Sequence, residues 1–160
     1  RIQKLLANGS QTSGNILDLP EKPFQALKEL LVQKIHNYNQ SCDINTDKEF
    51  KANWEKNLYI LRGWAIIMDK GGNLKSHNHE AGWLTGTFYL QMPEEGANPE
   101  EGAIEFSLNG VNYSNHNSPH LIHQPKSGDI VFFPSSLHHR TIPFSTDTER
   151  IVISFDLLPN

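Results

Sequence analysis

A single cysteine, Cys42, excludes an internal disulfide framework and any multi-cysteine zinc module. No apolar run approaches the ~18–20 residues that span a bilayer, and no signal-peptide pattern opens the chain. A cytoplasmic protein is expected on those grounds. The first residue is Arg rather than Met, compatible with a piece of a longer protein. Basic excess is also missing: fourteen Lys and Arg against eighteen Asp and Glu leave a net charge of −4. That balance argues against nonspecific nucleic-acid binding, which needs a cationic surface to displace phosphate counterions. Glycine (11) and proline (9) are close to average usage, so the chain is neither collagen-like nor of low complexity.

What remains is a chain of 160 residues, read as a single domain over 1–160. At this length roughly two-thirds of the unfolded surface can be buried, so folding does not depend on a metal or disulfide. Hydrophobic content is a modest 37%, but eight Phe, four Tyr and three Trp can supply a core. The abundant residue is histidine. Of eight, five lie between His77 and His123, and His138 and His139 are adjacent. Imidazole is the commonest metal ligand, so the question is which of them converge.

Residues 1–57 read as a helical and irregular support. Pro23 suits a first helical turn, and Phe24, Leu27, Leu31, Ile35 and Tyr38 recur at spacings of three and four. Thr46-Asp47-Lys48-Glu49 has the form of a capping box ahead of Phe50 and Trp54, which predicts a second short helix. From residue 58 to 158 the texture changes. Apolar runs at 58–68, 83–91, 103–108, 129–134, 139–144 and 150–158 alternate with turn clusters, the pattern of an all-β sandwich or barrel. Asn109-Gly110 signals a two-residue hairpin. Turns are also expected at 69–73, 94–102, 126–128 and 145–149, and residues 113–125 read as polar and irregular.

His77-Asn78-His79 is the first chemical candidate. In an extended chain residues i and i+2 share a face, so both imidazoles can point one way. The plain alternative is two polar residues at a strand end. Downstream, His138 and His139 follow Pro134-Ser135-Ser136-Leu137, and alternation sends them to opposite faces. Arg150 then opens a run in which Arg150, Val152, Ser154 and Asp156 alternate with Ile151, Ile153, Phe155 and Leu157. Arg150 is either an ordinary exposed residue beside Glu149 or an inward cation that requires an anion.

Taken in order, the segment His77–Leu90, the segment Ser127–Ser135, then His139 and Arg150 resemble the 2-oxoglutarate/Fe(II)-dependent oxygenases. The nearest resemblance is to a bacterial branch whose His-x-His motif precedes a Leu-Ser/Thr-Gly-x-x-Tyr strand. It spans about residues 58–158. It implies a mainly β fold, a double-stranded β-helix or jelly roll, with the N-terminal helices packed on one sheet. It implies Fe(II) and 2-oxoglutarate, with dioxygen as second cosubstrate, and oxidation of a primary substrate, most often by hydroxylation.

Site residues follow from the resemblance. His77, His79 and His139 would be metal ligands, His139 being selected by the family's Phe-Pro-Ser-x-Leu-x-His pattern. Arg150 would hold the distal carboxylate of 2-oxoglutarate, Tyr89 would place its hydroxyl on the same group, and Thr85 and Ser154 would line the cosubstrate site. Most of the superfamily has a carboxylate where this chain has His79. Glu80 does not replace it, because alternation turns it away. Three imidazoles also suit zinc.

His36 reads as solvated, and His116, His120 and His123 as exposed loop residues, while the roles of Trp64 and Asn73 stay open. Two other functions compete. A cupin-like metal enzyme fits Gly71 and His77-x-His79, but Trp83 and Leu84 stand where its glutamate belongs. A non-catalytic metal- or ligand-binding β-domain is the other. The primary substrate is not readable from the chain.

Overall fold

Alternation builds the centre of the molecule. In the computed structural model, which describes residues 4–41, 59–108, 110 and 119–160, the strands β2 (Tyr59–His77) and β8 (Arg150–Pro159) pair antiparallel from Tyr59↔Pro159 to Met68↔Arg150. One face of the pair carries Leu61, Ile153, Phe155 and Leu157. These pack with Leu84 beneath Leu31 and Ile35 of helix α1 (Lys22–Ser41). The other face carries Trp64, Ile66, Met68 and Val152, which close a second core with Tyr89, Leu74 and Phe144. A period of two thus serves two cores at once.

β3 (Leu84–Gln91) pairs with β8 on its other side, and its neighbour β6 (Ile130–Pro134) completes that half. At Gly86 an added Cβ would lie 2.1 Å from Cζ of Phe155, so only glycine lets that ring lie across β3. The other half consists of β7 (His138–Thr141), β4 (Ile104–Ser107) and β5 (His120–His123). The strand order is β5-β4-β7-β2-β8-β3-β6, with β1 (Leu6–Gln11) also paired to β2. This curled antiparallel sheet with one long shared strand is a jelly roll.

The expected turn at 69–73 is a bend inside β2 instead. Gly71 adopts φ 77°, and the ladder with β1 shifts register across the bend, from Gly9↔Met68 to Ala7↔Asn73. Before the bend β2 pairs with β8, and after it Leu74 faces Thr141 and His77 faces His139 on β7. The bend therefore carries the chain from one half of the sheet to the other and sets His77 at the junction.

Two further expectations need correction. The N-terminal support is not only helical: Leu-Ala-Asn-Gly-Ser-Gln forms β1, an edge strand held by backbone pairing to β2 despite a sequence with little β propensity. Residues 120–123, expected as irregular, form β5 on the edge of β4. The capping box at 46–49 with Phe50 and Trp54, Asn109 of the hairpin signal, and His116 lie outside the described residues. Among those described, no helix is long and apolar enough to cross a membrane.

Candidate metal centre

His77 ends β2, His79 follows in the loop toward β3, and His139 lies on β7 opposite His77. The His79 position is fixed by its backbone N–H, which donates to Ser135 O at 2.8 Å. All three are buried, at 8%, 8% and 7% exposure. One ligating nitrogen from each lies within 4.8 Å of the others, and among the described residues no other group of three His, Cys, Asp or Glu does this. His138, one residue from His139, is only half-buried and stands opposite Ser107 near Gly110.

Hydrogen bonds set which nitrogen each ring presents. Nδ1 of His77 lies 2.8 Å from Lys75 O, and Nδ1 of His139 lies 3.0 Å from Leu137 O. A carbonyl only accepts, so Nδ1 carries the proton and Nε2 keeps its lone pair. Nδ1 of His79 lies 2.7 Å from Asp156 Oδ1, again an acceptor, and its Nε2 is buried without a hydrogen-bond partner. Burial pushes the His77 imidazole down to about 4, and His139 well below its ordinary range, with neighbouring imidazoles adding to the effect. His77 and His139 therefore resist taking a second proton. A buried set of neutral nitrogen donors fits a divalent cation such as Fe(II) or Zn(II).

Arg150 lies in the same cavity as the histidines, which Tyr89, Thr87, Ser154 and Trp64 also line. It is 2% exposed, and its Nε donates to Gly102 O at 3.1 Å. Among the described residues no carboxylate is ion-paired with it. The guanidinium carbon sits 5.2 Å from the Tyr89 ring centroid, and the Tyr89 hydroxyl is buried beside it. Burial pushes Tyr89 up to about 12, so its phenol is neutral at neutral pH, and it disfavours the charged form of Arg150, a form that a guanidinium nonetheless keeps in proteins. An unpaired buried cation is costly, and an anionic ligand would relieve that cost.

The structure moves Thr85 away from its expected place in the cosubstrate lining. Its hydroxyl donates to Asp156 Oδ1 at 2.7 Å and lies 2.8 Å from Ser135 Oγ, behind His79. Thr87, two residues on, lines the cavity instead. Asp156 itself received no role from the sequence, although alternation already set it on the same strand face as Arg150 and Ser154. Trp64, whose role was open, has its ring 5.6 Å from that of His79 and tilted 36° to it, with a buried Nε1 that makes no hydrogen bond. Asn73 sits in the bend, bonded to Gly71 O, and His36 is exposed on α1 beside Gln40. His120 and His123 are exposed on β5. A separate apolar groove of about 800 Å³ lies between β5 and β6, and its lining rings Phe106 and Phe133 also touch His139.

Residues 62–156 match the profile of the family described as "Putative 2OG-Fe(II) oxygenase". Comparison with curated proteins gives no significant match. Among solved structures, a prolyl-4-hydroxylase from Pseudomonas putida aligns at 13% identity and TM-score 0.60, over 95% of this chain and 70% of that one. HygX from Streptomyces hygroscopicus, with nickel and 2-oxoglutarate bound, aligns at 13% and 0.61, over 97% and 71%. A prolyl hydroxylase from Trichoplax adhaerens, in complex with a hypoxia inducible factor peptide fragment, aligns at 14% and 0.62, over 97% and 64%. At these identities the likeness is one of fold.

Proposed function

The chain belongs to the 2OG-Fe(II) oxygenase family, and we propose that it acts as a hydroxylase. Membership makes it a 2-oxoglutarate-dependent dioxygenase that uses Fe(II), 2-oxoglutarate and dioxygen. Bound Fe(II) supplies dioxygen activation, coupled to splitting of 2-oxoglutarate into succinate and carbon dioxide while the primary substrate is oxidised.

In our reading His77, His79 and His139 hold the metal through Nε2, each oriented by the acceptor on its Nδ1. Arg150 takes the distal carboxylate of 2-oxoglutarate, a charge-assisted contact for which its planar fork is suited. The Tyr89 hydroxyl donates to the same carboxylate, and Ser154 lines the path between Arg150 and the histidines. Thr85 serves the site indirectly, by fixing Asp156. The aromatic and aliphatic walls keep water out, which strengthens each of these polar contacts.

One observation carries the proposal. A single buried cavity has three converging imidazole nitrogens and, in the same lining, a buried cation without an anionic partner among the described residues. A metal alone would use only the histidines, and a simple anion only Arg150. A metal-chelating dicarboxylate uses both. Hydroxylation itself is tested by anaerobic loading with Fe(II) and 2-oxoglutarate, then oxygen pulses with candidate substrates, reading succinate and the mass of the product. A product heavier by one oxygen, in step with succinate, is expected. Substrate-dependent succinate without that mass gain would contradict hydroxylation. Tight zinc binding with no succinate above background would favour the non-catalytic alternative, to which three neutral imidazoles also lend themselves.

A further inference from the structure

Asp156 has no ligating position, yet its carboxylate is hydrogen-bonded to the ring of His79. Resting on the reading that His79 is a metal ligand, we propose that Asp156 is a positioning residue. Its charge, transmitted through the His79 ring, stands in for the carboxylate ligand that this site lacks.

The three histidines are not equivalent. His77 and His139 lean on backbone carbonyls, which are neutral, whereas His79 alone leans on a carboxylate, at 2.7 Å and buried on both sides. His79 is also the residue that stands where most relatives place their acidic ligand. The negative charge has moved outward by the width of one imidazole. A carboxylate on Nδ1–H raises the electron-donating power of Nε2 and fixes the ring's orientation.

The surroundings hold Asp156 for this task. Thr85 Oγ1 donates to the same oxygen, Oδ1, at 2.7 Å. Thr85 is bonded to Ser135 Oγ at 2.8 Å, and Ser135 O receives the His79 backbone N–H at 2.8 Å. The bonds close a ring: His79 to Asp156 to Thr85 to Ser135 and back to His79. Thr85 and Ser135 are fully buried. Gly82 leaves room for Ser135, since a Cβ there would lie 2.7 Å from its Oγ. Arg62, the register partner of Asp156 on β2, is exposed and makes no ion pair with it. The His79 ring and the Thr85 hydroxyl are therefore the groups that Asp156 serves.

Asp156→Asn separates charge from shape, because the amide oxygen can still accept from both His79 Nδ1–H and Thr85. The test is anaerobic calorimetry of Co(II) and Fe(II) binding to the full chain, with thermal unfolding of each metal-free variant alongside. Four proteins are compared: wild type, Asp156→Asn, His79→Asp, and the double variant. Asp156→Asn alone should weaken metal binding by about 10–100-fold, in line with losses on removing partners of ligands. In the His79→Asp background the two carboxylates would face each other at close range, and the same change should strengthen binding or leave it unharmed. That reversal of sign is the signature of a charge role. Equal affinity in wild type and Asp156→Asn overturns the proposal while leaving the functional reading intact. Loss of affinity in both backgrounds, tracking lower unfolding temperatures, also overturns it, in favour of scaffolding. A wild type that binds no divalent metal overturns both.

Discussion

His77 and His139 are register partners across β2 and β7, with ring centroids 4.3 Å apart. The bend at Gly71 makes them so, by carrying β2 from β8 to β7. A pair of facing imidazoles with both Nδ1 atoms bonded to carbonyls has its remaining lone pairs available to one ion. His77→Ala and His139→Ala should each lose most divalent metal affinity, read by calorimetry, while His138→Ala should keep it. Full metal occupancy in His139→Ala would assign the wrong member of the adjacent pair.

Arg150 gives a prediction in which stability and binding move oppositely. A buried charge without a partner can often be replaced by an apolar side chain of similar volume at no loss, or with a gain, in stability. Arg150→Met should therefore unfold at the wild-type temperature or above it. Its affinity for 2-oxoglutarate should fall by roughly thirty-fold or more, since truncating one member of a buried charge pair costs about 2–5 kcal/mol. Metal affinity should stay within about threefold of wild type, well under the 1.4 kcal/mol that marks a tenfold change. Unchanged cosubstrate affinity would remove Arg150 from the anion site.

Gly86 and Phe155 test the fold that carries the site. Gly86→Ala places a Cβ against the ring of Phe155 on the central strand β8. Overpacking of this kind costs about 1–3 kcal/mol, and Phe155→Ala about 3–5 kcal/mol through the cavity it leaves. The double variant Gly86→Ala/Phe155→Ala should lose less than the sum, because the clash disappears with the ring. Additive losses in urea unfolding would mean that the ring is free to move aside.

Much of this site was legible because it obeys the period of two. Alternation allowed His77 and His79 to share a face and put Arg150, Ser154 and Asp156 on one face of β8, while the choice of His139 came from the family resemblance. What it did not reveal depends on pairing between distant strands. Asp156 meets His79 across 77 residues of sequence, and Thr85 reaches Asp156 across 71. No local pattern shows that the Thr85 hydroxyl turns to a carboxylate behind the ligands instead of to the cavity. β1 was hidden for a related reason, because its residues carry little strand preference and its pairing is lent by β2. The bend at 69–73 looked like a turn, since Gly71-Gly72 is a common way to end a strand. Here β1 and β7 continue the ladder past it.

In our reading one cavity holds a metal at its histidines and 2-oxoglutarate between that metal and Arg150. Anaerobic titration of the Fe(II)-loaded protein with 2-oxoglutarate checks this through the visible charge-transfer absorption that arises when the 2-oxo acid chelates the ion. The absorption should appear and saturate in wild type, require far more 2-oxoglutarate in Arg150→Met, and be absent in His139→Ala. Fe(II) bound tightly by the wild type, with no absorption at any 2-oxoglutarate concentration, would contradict it.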